Sequence, residues 1–91
     1  MKSSREYKII LLPEAEKFYR KLFRSDKSHF LRIKNALFDL QSDPMHGKPL
    51  RHLLKGKYSL RVGIYRIIYS IDHGKITVFV LDIGHRKDIY D

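Results

Sequence analysis

A chain of 91 residues in which 43% are hydrophobic and 32% charged is long enough for one domain with a modest core and too apolar for disorder. Its nineteen Lys and Arg against ten Asp and Glu leave a formal charge of +9, which points to nucleic acid or another polyanion as partner. Without cysteine there is neither a disulfide framework nor a zinc-thiolate centre, and no apolar run approaches the roughly 20 residues of a membrane span.

Residues 7–12, YKIILL, read as a short strand stopped by Pro13, and their nearly continuous apolar character predicts a buried place in the sheet. Pro13 suits the first turn of a helix, and Glu14 and Glu16 complement that helix's positive end. Ala15, Phe18, Tyr19, Leu22 and Phe23 then recur at helical spacing, a core stripe. Ser25 or Asp26 can cap a second helix whose apolar positions are Phe30, Ile33, Leu37 and Leu40, ended by Gln41-Ser42-Asp43 and Pro44. Two amphipathic helices joined by a few polar residues predict an antiparallel hairpin whose apolar stripes need a sheet as cover.

Residues 45–56, MHGKPLRHLLKG, are punctuated by Gly47, Pro49 and Gly56 and read as an ordered loop that Leu50, Leu53 and Leu54 pin to the body. Between Asp43 and Asp72 there is no carboxylate, whereas Lys48, Arg51, Lys55, Lys57, Arg61, Arg66, His46 and His52 all fall inside, a pattern that predicts a phosphate-binding surface. The five histidines, at 29, 46, 52, 73 and 85, show no i, i+4 pairing on a helix, so no metal site is expected.

Residues 58–69, YSLRVGIYRIIY, predict two strands hinged at Gly63. Tyr58, Leu60 and Val62 alternate with Ser59 and Arg61, and a two-residue Gly63-Ile64 loop pairs Val62 with Tyr65 and Arg61 with Arg66. Like charges directly opposite each other cost stability, so the arginine pair calls for something anionic between them, unless both guanidiniums splay into solvent or meet carboxylates such as Asp88 or Asp91. A second turn near His73-Gly74 uses glycine's backbone freedom, and residues 76–83, ITVFVLDI, form a last strand apolar on both faces except at Asp82. The following GHRKDIYD is expected to place His85, Arg86 and Tyr90 beside the arginines.

The expected fold is a single α+β domain over residues 1–91 in β-α-α-β-β-β order, a twisted, mainly antiparallel sheet with the helix pair on one face. That pair should bury Phe18, Leu22, Ile33, Leu37 and Leu40 against Leu60, Ile67 and Val78, leaving open a face that carries Ser59, Arg61 and Arg66.

In this order, in the central GIYRIIYSI and in the late GHRKDIY, the chain resembles the RelE/ParE toxin superfamily of prokaryotic toxin–antitoxin systems, and more closely its RelE branch. The resemblance covers nearly the whole length. It implies a ribosome-dependent endoribonuclease that cuts messenger RNA without metal or other cofactor. The 2′-hydroxyl attacks the adjacent phosphate, leaving a 2′,3′-cyclic phosphate and a 5′-hydroxyl. It also implies a small RelB-like antitoxin in a heterodimer or heterotetramer; the basic charge calls for that partner to be acidic or to bring an acidic segment, and the polar start MKSSREYK, with no signal-peptide core after it, predicts a cytoplasmic location.

Carried over residue by residue, Arg66 matches the family's third-strand arginine, Arg86 its late arginine and Tyr90 its terminal tyrosine. Where the best-known RelE enzymes carry two lysines on the preceding strand, this chain has Ser59 and Arg61. A guanidinium is a very poor base, which leaves the proton acceptor open between His85 and Lys57. The candidate catalytic set is therefore Arg61, Arg66, His85, Arg86 and Tyr90, with RNA contacts from Lys48, Arg51, Lys55, Lys57 and Ser59. Two alternatives stay open: a ParE-like toxin that binds DNA gyrase, and a catalytically degenerate member that keeps only antitoxin or RNA binding.

Overall fold

Pro13 and Asp26 punctuate the helical half of the chain. In the computed structural model, which describes residues 6–85, strand β1 (Lys8–Leu11) leads into helix α1 (Pro13–Ser25), which has proline in its first turn beside Glu14 and Glu16. Helix α2 (Lys27–Leu40) begins at Asp26, whose carboxylate accepts from the backbone N–H of His29 at 3.2 Å and lies 2.9 Å from that residue's Nδ1. The helices bury Ala15 and Leu22 from one and Ile33, Leu37 and Leu40 from the other. Phe30 meets the rings of Tyr19 and Phe23 at centroid distances of 4.7 and 5.0 Å. Among the described residues no helix is long and apolar enough to cross a membrane.

The His29 backbone N–H, with help from its ring, holds the Asp26 carboxyl below the usual carboxylate range against an opposing desolvation effect. A depressed folded-state pKa means that the cap's ionic contribution is present above the ordinary Asp pKa of about 3.9 and is lost as pH falls through the folded value. Asp26→Asn, which keeps a capping oxygen, should melt below wild type near neutral pH, the gap closing as pH falls through the lowered pKa of Asp26. A gap that stays constant from pH 7 into acid would contradict this.

The sheet runs in the order β1-β5-β4-β3-β2, with β1 parallel to β5 and every other pair antiparallel. Its remaining strands are β2 (Lys48–Pro49), β3 (Tyr58–Val62), β4 (Tyr65–Asp72) and β5 (Thr77–His85). Three expectations change. The first strand lies at an edge, with Ile9, Ile10 and Leu11 half-buried, because β4 and β5 take the interior. The segment expected as a loop contains two 3-10 turns (Pro44–His46 and His52–Leu54) and the two-residue strand β2, tolerant of Pro49 because it is an edge. Leu50 is buried there, but Leu53 is 97% exposed and pins nothing.

Gly63 adopts φ 63° at the first position of the β3–β4 turn, and the register Val62↔Tyr65 and Arg61↔Arg66 is the expected one. A Cβ at Gly63 would lie 2.9 Å from both Arg32 Nη1 and His29 Nε2. Gly63→Ala should therefore cost about 1–2 kcal/mol, mainly from the left-handed backbone. A denaturant melt superimposable on wild type would contradict that. In the β4–β5 connection the left-handed residue is Ile76 (φ 49°), not Gly74. There Asp72 Oδ1 accepts from the Lys75 N–H at 3.0 Å and shapes the turn.

The core contains the helix residues together with Val62, Ile67, Tyr69, Val78, Val80 and Ile83, with Phe18 and Leu60 packed against it. Between the pairs Ile68↔Asp82 and Tyr69↔Val80, β5 carries one extra residue, Leu81. That bulge reverses the alternation of the rest of the strand. Val80 and Ile83 are both buried, while Asp82 turns outward and is exposed.

Candidate nucleic-acid interface

The face away from the helices is built by alternation on three strands. Arg61 on β3 and Arg66 on β4 stand directly opposite each other, and Lys48 on β2 stands opposite Ser59. Arg66 reaches diagonally across the ladder, donating from Nη1 to Ser59 Oγ at 3.1 Å. Ser59 is 4% exposed and Ile68 is also buried, so the face expected to be open is covered at its centre and exposed at Arg61 and Lys48. Asp82 supplies a carboxylate on the same face, opposite Ile68.

This arrangement can hold an anion. The two guanidiniums start from neighbouring backbone positions, and their repulsion is relieved when a phosphate shares their donors, since the planar fork of arginine matches phosphate oxygens. Arg51 and Lys55, both exposed, bracket the 3-10 turn His52–Leu54 that leads from β2 back into β3. Lys57 is half-buried directly before β3, and its carbonyl accepts from the Leu50 N–H at 2.9 Å. Continuing the strand's alternation, Lys57 belongs to the side of Ser59 and Arg61.

His85 does not join this face. It pairs with Tyr65, whose ring packs on Phe18 and His29 on the helix side at 5.6 and 5.1 Å, and the His85 ring lies 6.2 Å from that of Tyr65. The Leu81 bulge is the reason: unbroken alternation from Val78 and Val80 would have turned His85 toward the arginines. Arg86 and Tyr90 lie outside the described residues. Among the described residues no group of three His, Asp or Glu is placed to hold a metal ion.

Two features had no expectation attached. One is the pairing of β2 with β3, which brings Lys48 into line with Ser59. The other is Tyr69, a fully buried residue whose hydroxyl donates to the Pro44 carbonyl and accepts from the Gly47 N–H, both at 2.8 Å. Burial pushes the Tyr69 phenol up, keeping it protonated as a donor. The available signal was a tyrosine in a strand otherwise suited to the core, since a buried phenol needs a partner.

Comparison with known proteins places these features in context. A family model described as the ParE toxin of the type II toxin–antitoxin system, parDE, matches residues 9–90. The chain is 46% identical over 59 residues to Toxin RelG of Mycobacterium tuberculosis, an alignment spanning 64% of this chain and 68% of that protein. Among solved structures it is similar to the toxin–antitoxin complex RelBE2 of M. tuberculosis, with 32% identity, a TM-score of 0.80 and coverage of 97% and 100% of the two chains. A mutant of the E. coli toxin RelE in the free state gives 25% identity, a TM-score of 0.74 and coverage of 92% and 87%.

Proposed function

Because this chain belongs to the RelE/ParE toxin family of type II toxin–antitoxin systems, we propose that it arrests translation in the cytoplasm as a ribosome-dependent endoribonuclease acting through the arginine face. The observation that carries this reading is the Arg61–Arg66 pair, with Arg66 donating to Ser59 across the ladder. A phosphodiester is the ligand that such a pair would select.

The step is an in-line displacement. The 2′-hydroxyl loses its proton to a base, its oxygen bonds to phosphorus, and the bond from phosphorus to the 5′-oxygen breaks as that oxygen takes up a proton. Arg66 and Arg61 stabilise the charge that grows on the non-bridging oxygens. Lys57, on the side of Ser59, is the proposed proton acceptor, since His85 faces Tyr65. Arg86 and Tyr90, carried over by resemblance, are proposed for a further phosphate contact and for stacking on a base or protonating the leaving oxygen. None of these roles requires a metal. The proposed partner is a small acidic RelB-like antitoxin in a heterodimer or heterotetramer, supported by solved relatives that are RelBE toxin–antitoxin complexes from M. tuberculosis and E. coli.

The description of the matching family as ParE keeps a second reading in view, a toxin that binds gyrase and cuts no RNA. Purified protein separates the two. On this proposal it cuts messenger RNA bound to programmed ribosomes and leaves gyrase supercoiling untouched; inhibited gyrase beside intact messenger would establish the second reading.

A further inference from the structure

Strand β2 is only two residues long, too short to hold its own register, yet the position of Lys48 depends on it. The Tyr69 hydroxyl, rising from the core beneath β4, takes the Gly47 N–H at 2.8 Å and gives its proton to the Pro44 carbonyl at 2.8 Å. It thereby clamps both ends of the turn that precedes β2. The fit leaves no slack: a Cβ on Gly47 would lie 2.5 Å from that hydroxyl oxygen. Tyr58 stacks on the Tyr69 ring at 5.4 Å and 16°, and it pairs across the ladder with Pro49 on one side and Tyr69 on the other. Lys48 is thus held between a clamped glycine and a paired proline, directly opposite the serine that accepts from Arg66.

Resting on the reading of the arginine face as an RNA phosphate site, we infer that Lys48 contacts an RNA phosphate there and that Tyr69 is the positioning residue that sets it in place. An exposed ammonium one strand from Arg61 and two from Arg66 adds a third cation to the opposed pair. No carboxylate occurs in the sequence from residue 44 to residue 71. An RNA backbone fits such a cluster, with one phosphate bridging the arginines and the neighbouring one reaching Lys48, while the Asp82 carboxylate on the same face stands opposite Ile68.

The test is binding of a fluorescent single-stranded RNA made uncleavable by 2′-O-methylation, measured by anisotropy over a range of salt for wild type, Lys48→Ala, Tyr69→Phe, the double variant and Arg66→Ala. Lys48→Ala should weaken binding several-fold at low salt and lower the slope of log affinity against log salt by about 0.7, the loss of one phosphate contact on a single strand. Tyr69→Phe, measured below its own melting temperature, should reproduce part of both changes. The double variant should bind no more weakly than Lys48→Ala, because the hydroxyl acts through the lysine. An unchanged slope in Lys48→Ala while Arg66→Ala lowers it would overturn this inference alone, and so would additive losses in the double variant. An unchanged slope in both single-cation variants would remove the phosphate face and the inference with it. Lys48 is exposed, so its removal leaves the core intact and the first comparison does not depend on how Tyr69→Phe folds.

Discussion

Arg66→Ala should slow single-turnover cleavage of ribosome-bound messenger by about 10²–10³-fold, or ~2.7–4 kcal/mol of transition-state stabilisation. The size follows from where the charge grows. In the ground state the phosphodiester carries one negative charge; in the proposed reaction, as the 2′-oxygen attacks, charge accumulates on the non-bridging oxygens between the opposed Arg61 and Arg66. A guanidinium already steered by its bond to Ser59 meets that charge without reorganising. Binding should fall far less, because Arg61 and Lys48 remain exposed on the same face. Arg66→Lys should recover little of the rate, since a point charge replaces a planar fork. Equal losses in binding and in rate would mean that Arg66 only holds RNA.

The largest stability effect should come from the helix layer. Ile33 is 0% exposed in α2 and belongs to the cluster that includes Ile67, Val78 and Ile83. Ile33→Ala removes buried methyl and methylene groups and leaves a cavity that close-packed neighbours cannot fill, a cost of about 2–5 kcal/mol. In a domain whose total stability is of the order of 5–15 kcal/mol, that is a large fraction. Phe38, in the same helix but 68% exposed, provides the contrast: Phe38→Ala should change stability by no more than about 0.5 kcal/mol. Denaturant melts of the two variants test which side of α2 faces the sheet. The assignment fails if the order is reversed.

What could be read in advance was whatever follows from local chemistry. Pro13, Asp26 and Gly63 each act within a few residues of their own position, and both helices and the β3–β4 hairpin appear where those residues require. The opposition of Arg61 and Arg66 followed from turn length alone. What could not be read depends on distant partners or on a break in periodicity. The charge pattern already placed Lys48 among the RNA contacts, but not the pairing that sets it opposite Ser59, since the turn before β2 is bonded to a tyrosine 21 positions after Lys48. His85 leaves the face because Leu81 is an extra residue, a shift in parity that an apolar run such as ITVFVLDI conceals. The edge position of β1 was hidden likewise, since apolar residues half-covered by helices look like those of an interior strand.

In the proposed reaction the RNA supplies its own nucleophile and the protein supplies the charge around it. The direct measurement is to place messenger carrying a single 2′-deoxy nucleotide at the scissile position on programmed ribosomes beside an otherwise identical all-ribose messenger. The expected result is that the ribose messenger is cut, leaving a 2′,3′-cyclic phosphate, while the deoxy messenger stays intact at that position. Cleavage of the deoxy messenger at a comparable rate would contradict the claim.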